Sequence, residues 1–300
     1  MSLGSSRGIA MLSVLWITGL LAVIAASFAS GARTEARLAR NQIANAQAEA
    51  LADGGVHRAV LGLLELEPER AWQADGSMRE LPLGTGLVQI AIEDEDGKID
   101  LNTAPVALLA GLFGVLGLSQ DEARAMAERI VDYRDPDHDP EPQGAEDPDY
   151  LALGLAAGAA DREFIGTSEL LNVLGMTREL YERALPYVTI YSGAEGVDPV
   201  RAPRPVLEAL PGMTPQLLER LVNAGDDFDP FFEIEDESLL EELEFYFLPT
   251  RDAVFTVRAL ARTADGGTFL REAVIELDGG ADRPFLVLEW RRGRLAADSG

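Results

Sequence analysis

IAMLSVLWITGLLAVIAASFASGA, residues 9–32, contains no charged side chain, and Arg7-Gly8 stands immediately before it. A hydrocarbon core about 30 Å thick takes roughly 20 helical residues to cross, so this run is long enough to span a bilayer. Only Met1–Gly8 precedes it. The segment that follows, Thr34–Leu66, has no proline, and Ala36, Ile43, Ala46, Ala50, Val56, Val60 and Leu63 recur at roughly helical spacing. Gly54-Gly55 weakens that helix locally, by about 1 kcal/mol per glycine. The reading is one long helix, apolar first and amphipathic after.

Three readings of this N-terminus compete. A secretory signal peptide would use Arg7 as its basic region, Ile9–Ala25 as its apolar region and the small residues of Ala26–Gly31 as its cleavage site. A plain membrane anchor would stay uncut. A type IV pilin-like leader would be cut between Gly8 and Ile9, leaving the apolar helix on the mature chain. The third reading needs the helix to continue, its first half in a membrane or filament core and its second half against a sheet. Charge pulls the other way. Arg33, Arg37 and Arg40 follow the span, and the positive-inside rule alone would make that side cytoplasmic. The leader junction is given the greater weight.

The 300-residue chain is long enough for one large or two modest domains beyond this helix, and its 47% apolar content supports a real core. It has no cysteine, hence no disulfide. The net charge is -26, nearly all of it beyond residue 45. A body this acidic repels a phosphate backbone and is a poor nucleic-acid binder.

Within the body, Leu87–Glu93 alternates apolar and polar residues as a strand, Asp94–Lys98 reads as a hairpin-like turn with positive φ expected at Gly97, and Ile99 begins a second short strand. In Asp100–Pro105 an Asn or Thr can cap a helix and the proline can open it. The chain then repeats itself. Asp96–Asp135 and Glu195–Asp226 both run turn, short strand, Ala-Pro, helix, glycine hairpin and second helix, and Thr167–Ile190 is a partial third copy. In the hairpins Leu116–Ser119, Leu174–Thr177 and Pro211–Thr214, glycine ends one helix and Ser or Thr caps the next. Strand alternation returns at Phe255–Arg262, Phe269–Leu277 and Phe285–Trp290, with turns at Gly266-Gly267 and Gly279-Gly280. The expected fold is α+β: a long N-terminal helix and an antiparallel sheet, with a large α-helical domain inserted between strands. The boundaries read as leader 1–8, apolar helix 9–32, stalk 33–66, first part of the α/β domain 67–101, inserted α-domain 102–250 and C-terminal strands 251–300.

The densest chemical cluster is 132–147, DYRDPDHDPEPQGAED. Asp135, Asp137 and Asp139 stand at positions 1, 3 and 5 of a twelve-residue window and Glu146 at position 12, the ligand spacing of an EF-hand, with Asp147 beside it. Position 6 is Pro140 rather than glycine, so the loop path differs. Carboxylates crowded together without a cation repel one another, which favours Ca²⁺ over a merely solvated acidic loop. His138 reads as a bystander. With His57 the only other histidine, a catalytic zinc site is a poor reading. The sequence holds no cysteine nucleophile, G-x-S-x-G elbow or P-loop, so no enzyme is expected. The hairpins also resemble helix-hairpin-helix DNA-binding units. An exported DNA-binding protein with a signal peptide or simple anchor is the alternative, but acidic neighbours such as Asp121, Glu122 and Glu219 argue against it.

Taken together, Arg7-Gly8-Ile9, Asp96–Asn102 (DGKIDLN), Val131–Asp135 (VDYRD), Gly144–Asp147 followed by Tyr150, Leu170–Met176 (LLNVLGM) and Leu185–Thr189 (LPYVT) resemble the K-type minor pseudopilins of type II secretion systems. The resemblance implies cleavage after Gly8 and N-methylation of Ile9 by a prepilin peptidase. It implies storage in the bacterial inner membrane through a single span, with the globular part in the periplasm, and assembly by the inner-membrane secretion platform. It also implies a place at the tip of a pseudopilus built from the major pseudopilin, in complex with the I and J minor pseudopilins, and calcium in the α-domain. Most pilin-like subunits carry Glu at the fifth mature position; Ser13 stands here, as in K-type members. The second repeat departs from the family in Val197–Pro203, which leaves its turn open, and the acidic segment Asp226–Glu244 has no assigned role.

Overall fold

The computed structural model describes residues 6–67, 69–155, 157–224, 243–248, 254–277 and 283–293. The first five leader residues, most of the acidic 226–244 segment and the Gly279-Gly280 turn lie outside the described residues.

Helix α1 runs without a break from Ser6–Leu63, about 87 Å at 1.5 Å per residue. It crosses one face of a five-stranded antiparallel sheet of order β1-β2-β5-β6-β7, built from Arg79–Leu83, Gly86–Asp94, Val254–Thr263, Thr268–Glu276 and Leu286–Arg292. Alternation sets the buried face: Val88, Ile90 and Ile92 of β2 lie opposite Ala261, Ala259 and Val257 of β5. Large residues facing alanines leave room for the helix. At Gly55 a β-carbon would sit 2.8 Å from Val88 Cγ1 and 3.0 Å from Ala259 Cβ, so glycine supports the approach here rather than interrupting the helix. The stalk face buried on the sheet is Ala44, Ala48, Ala52, Val56, Ala59 and Val60. Val56 and Val60 belong to the expected stripe, but Ala36, Ile43, Ala46 and Ala50 are exposed. Alanine stands at every second position from 44 to 52, so small residues occupy every side of this segment and the sheet's shape chooses among them.

The sheet has a low end and a high end relative to α1. Gly267, in the β5–β6 turn, abuts Ala44, Gly86 at the start of β2 abuts Leu51, and Trp72, in the connection leading to β1, packs on Gly62. The far end of β2, Asp94, pairs with Phe255 at the start of β5. The chain therefore leaves the sheet after Asp94 and re-enters at Val254 on the end farthest from the apolar half of α1. The described residues between them form a helical unit crowning that end.

Glu95–Gly97 is one turn of 3₁₀ helix rather than a hairpin, and Gly97 does not take positive φ. Its missing side chain serves close approach instead, since a β-carbon would meet Arg201 O at 2.6 Å. Strand β3, Ile99–Asp100, which the sequence grouped with the first sheet, pairs in parallel with β4, Val188–Thr189, inside the helical unit. Helices α2 (Val106–Val115), α3 (Gln120–Arg134), α4 (Asp147–Ala152), α5 (Arg178–Ala184), α6 (Arg204–Glu208) and α7 (Pro215–Ala224) make up the rest. Their core includes Leu108, Leu109, Leu112, Phe113, Ile130, Tyr150 and Leu170.

The repeat is physical. Asp100 Oδ1 accepts the N–H of Asn102 at 2.7 Å and Asp100 O accepts that of Ala104 at 2.9 Å. Asp198 does the same for Val200 at 2.8 Å and Ala202 at 2.8 Å. The divergent second copy keeps its turn because the Asp and the Ala-Pro four residues on carry the geometry. Pro105 and Pro203, not Asn102 or Thr103, hold the N-cap positions of α2 and α6. Asn102 instead spans to Phe164, accepting its N–H at 2.7 Å and donating to its carbonyl at 3.1 Å. The three hairpins follow the expected pattern: Gly117, Gly175 and Gly212 take positive φ, and Ser119, Thr177 and Thr214 accept the N–H groups of Glu122, Leu180 and Leu217.

Sheet and helical unit meet at a buried polar junction. Lys98 Nζ lies 2.6 Å from Glu95 and 3.0 Å from Glu93, Glu95 accepts from Thr189 Oγ1 at 2.5 Å, and Glu93 pairs with Arg258 of β5 at 2.6 Å. Burial alone would lower the Lys98 pKa, but the Glu95 and Glu93 carboxylates outweigh it and hold the ammonium above its ordinary value.

Candidate metal centre

Helix α3 begins at a capping box in which Ser119 and Glu122 bond each other's backbone amides. It ends at Arg134, and the twelve residues Asp135–Glu146 connect it to α4. Two carboxylates one turn apart on α3 fasten that connection. Glu128 Oε2 accepts the N–H of Gln143 at 2.6 Å while its other oxygen takes Arg124 Nε at 2.7 Å. Asp132, fully buried, accepts the N–H groups of Glu141 at 3.2 Å and Ala145 at 2.7 Å. At Gly144 a β-carbon would fall 1.8 Å from Asp132 Oδ2, so only glycine lets the loop pass so close. Pro136, Pro140 and Pro142 restrict the path between these clamps.

The folded loop brings Asp135, Asp137 and Glu146 together, with one carboxylate oxygen from each inside a 4.8 Å cluster. Glu146 also belongs to a second grouping of the same span, with His138 and Asp161. Asp161 arrives from beyond α4 and is placed by Tyr133, whose carbonyl accepts the N–H groups of Ala160 at 3.1 Å and Asp161 at 3.2 Å. It is the one non-glycine residue with positive φ among those described. Asp139 and Asp147 stand outside both groupings. Asp139 turns its side chain to solvent while its N–H bonds Asp137 Oδ1 at 2.9 Å, and Asp147 is exposed in the first turn of α4. No local pattern in the sequence announces Asp161, because its place depends on the backbone of Tyr133.

The electrostatics are those of a site short of positive charge. Glu146 is 3% exposed, and neither of its carboxylate oxygens has a hydrogen-bond partner; nor do the buried Asp135 Oδ1 and Asp161 Oδ1. Burial, then the charges of Asp132, Asp135 and Asp161, push Glu146 up to about 7. Burial with Asp137 and Asp132 pushes Asp135 up to about 6. Burial also raises Asp132, with Glu141 and Glu128 adding to the effect against its two N–H bonds. Unpartnered buried carboxylate oxygens are costly unless a cation is shared among them. A donor set dominated by carboxylate oxygen suits a hard cation.

The helical hairpins are engaged internally. Arg183 donates to the carbonyl of Leu116 and Arg129 to that of Leu174 at 3.3 Å, so these two arginines are engaged by hairpin carbonyls.

Comparison with known proteins adds the following. Residues 87–193 match a family described as type II secretion system (T2SS), protein K. A type II secretion system protein K from Pseudomonas aeruginosa is 29% identical over 241 residues, 73% of this chain and 72% of that protein. Its counterpart from Klebsiella pneumoniae is 27% identical, covering 61% of this chain and 62% of the relative. Among solved structures, a chain of the GspK-GspI-GspJ complex from the enterotoxigenic Escherichia coli type 2 secretion system superposes with a TM-score of 0.62 at 21% identity, covering 88% of this chain and 99% of that one.

Proposed function

We propose that the chain is a member of the type II secretion system protein K family, a minor pseudopilin of that system, and that it forms the tip of the periplasmic pseudopilus as a structural, non-catalytic subunit. One observation carries this reading. The helical unit crowns the end of the sheet farthest from the apolar half of α1, so a filament packed around α1 would have this unit at its outer end, where it blocks the addition of another subunit.

The remaining roles follow from the same arrangement. Prepilin peptidase cuts after Gly8 and methylates the new amine of Ile9. The apolar half of α1, exposed along residues 11–29, stores the chain in the inner membrane as a single span with its body in the periplasm, and later packs against the major pseudopilin. Ser13 in place of glutamate fits a subunit with no neighbour above it. The I and J minor pseudopilins are the direct partners, and the inner-membrane platform drives assembly. Calcium is held by Asp135, Asp137 and Glu146, with Asp161 beside them. It supplies the positive charge that these buried oxygens lack and joins α3 to the start of α4.

The test is reconstitution. The exported body, freed of the apolar segment, is mixed with the I and J minor pseudopilins and resolved by size. A complex containing one copy of each, to which the major pseudopilin adds on one side alone, is expected. Failure to associate with either partner, or growth on both sides, would remove the tip assignment.

A further inference from the structure

The three arginines that follow the apolar segment contradict the positive-inside rule in the orientation proposed above, and the structure gives them a different use. Arg33, Arg37 and Arg40 are exposed, and no ion pair links them to any described carboxylate. At 100° per residue they fall within about 60° of one another on the helix. The same side, continued upward, becomes the face that the sheet covers from Ala44 onward. The β5–β6 turn lies against Ala44, so among the described residues nothing covers this side between the sheet and the apolar run.

We propose that Arg33, Arg37 and Arg40 form a collar that binds the phosphates of anionic phospholipid headgroups in the leaflet where α1 emerges; this rests on the membrane-span reading above. The spacing fits. The apolar run ends at Ala32, and the headgroup layer is about 5–8 Å deep on each side of the hydrocarbon core. Arg33 and Arg37 lie about 1.5 and 7.5 Å above Ala32, inside that layer, and Arg40 about 12 Å above it. Side chains on a helix lean toward its N-terminus, here toward the membrane, so the Arg40 guanidinium reaches down to the same layer. Arg40 also donates from Nε to Ala36 O at 3.2 Å, one turn closer to the bilayer. Guanidinium groups pair well with phosphate oxygens. The rest of the chain, acidic enough to bring the total to -26, is repelled by the surface that attracts the collar. The collar thus fixes the depth of the helix while the body is held clear of the lipid.

The full-length chain carrying Phe28→Trp in a Trp16→Phe background, reconstituted into vesicles, tests this: the introduced indole lies about 6 Å below Ala32, in the leaflet of the collar, and its quenching by acyl-brominated phosphatidylglycerol or acyl-brominated phosphatidylcholine is compared. Preference for phosphatidylglycerol of on the order of fivefold per engaged arginine is expected at low salt. It should shrink as the Debye length falls from about 30 Å at 0.01 M to about 8 Å at 0.15 M salt. The joint variant Arg33→Gln, Arg37→Gln, Arg40→Gln should insert equally well and lose the preference. Equal quenching by both lipids in the chain that keeps its arginines, or a preference that survives in the variant, overturns the collar. Absence of quenching by either lipid would overturn the membrane-span reading itself, and the collar with it.

Discussion

The stalk and sheet close their own interactions; the helical unit does not. Arg271 on β6, nearly buried, reaches Asp53 at 2.6 Å and Glu49 at 2.9 Å on α1, and below it the packing is apolar on both sides. In the helical unit the elements are short, with five residues in α6 and six in α4. The connection between α3 and α4 is held by carboxylates on backbone amides, and four buried oxygen atoms on Asp135, Glu146 and Asp161 are left without partners. On the proposed calcium reading the helical unit is completed by a cation, so its stability depends on solution conditions that leave the stalk and sheet untouched.

The largest expected effect separates the two. Ile92→Ala, deep under the stalk, should cost about 2–5 kcal/mol, and thermal unfolding should show the same loss with calcium or with chelator. A calcium-dependent loss would mean that the two regions share one cooperative core. Next, calcium at a hundredfold its Kd should stabilise the protein by about 2.7 kcal/mol. Asp137→Ala with Glu146→Ala should lower Tm only when calcium is present and leave the chelated protein unchanged or raised. A drop of equal size under chelator would show that these side chains matter for packing alone.

The pH response sharpens the contrast at smaller amplitude. In the metal-free protein Glu146 and Asp135 titrate at about 7 and about 6 when folded, above their ordinary values of 4.5 and 3.8. Raised carboxylate pKa values mean that the folded state takes up protons first. Their destabilising contribution is therefore full above about pH 7 and is relieved as pH falls through about 7 and about 6 toward their ordinary values. Tm of the chelated protein should rise on acidification through that window, and with calcium bound it should fall as protons displace the ion. The smallest effect is local: Ser119→Ala removes the α3 cap and should cost about 1 kcal/mol, read as a Tm shift of equal size with and without calcium.

Much of this contrast is written in the sequence. Alternation located β2, β5 and β6 because one face of each is dry, and the glycine–Ser/Thr hairpins stood out because positive φ and N-capping require particular residues. Edge strand β1 was missed: RELPL carries a proline and buries little, so it lacks the alternation of its neighbours. The stalk face is ambiguous in the sequence where alanine makes every side equally small. The turn at Asp94–Lys98 misled because local turn chemistry does not reveal that β3 pairs with β4, far along the chain. In the candidate metal centre, the grouping of Asp135, Asp137 and Glu146 is readable from their spacing because the loop itself brings them together. Asp161 is not, since tertiary contact with Tyr133 delivers it, and Asp139, next to Pro140, faces solvent outside the grouping.

How the N-terminus is made tests the pseudopilin-tip reading most directly. Mass measurement of the mature chain from membranes with and without prepilin peptidase should give a chain beginning at a methylated Ile9, formed only when the peptidase is present. An uncut chain, or one beginning near Ala29–Ala32, would mean ordinary anchoring or export and would contradict a pseudopilin tip.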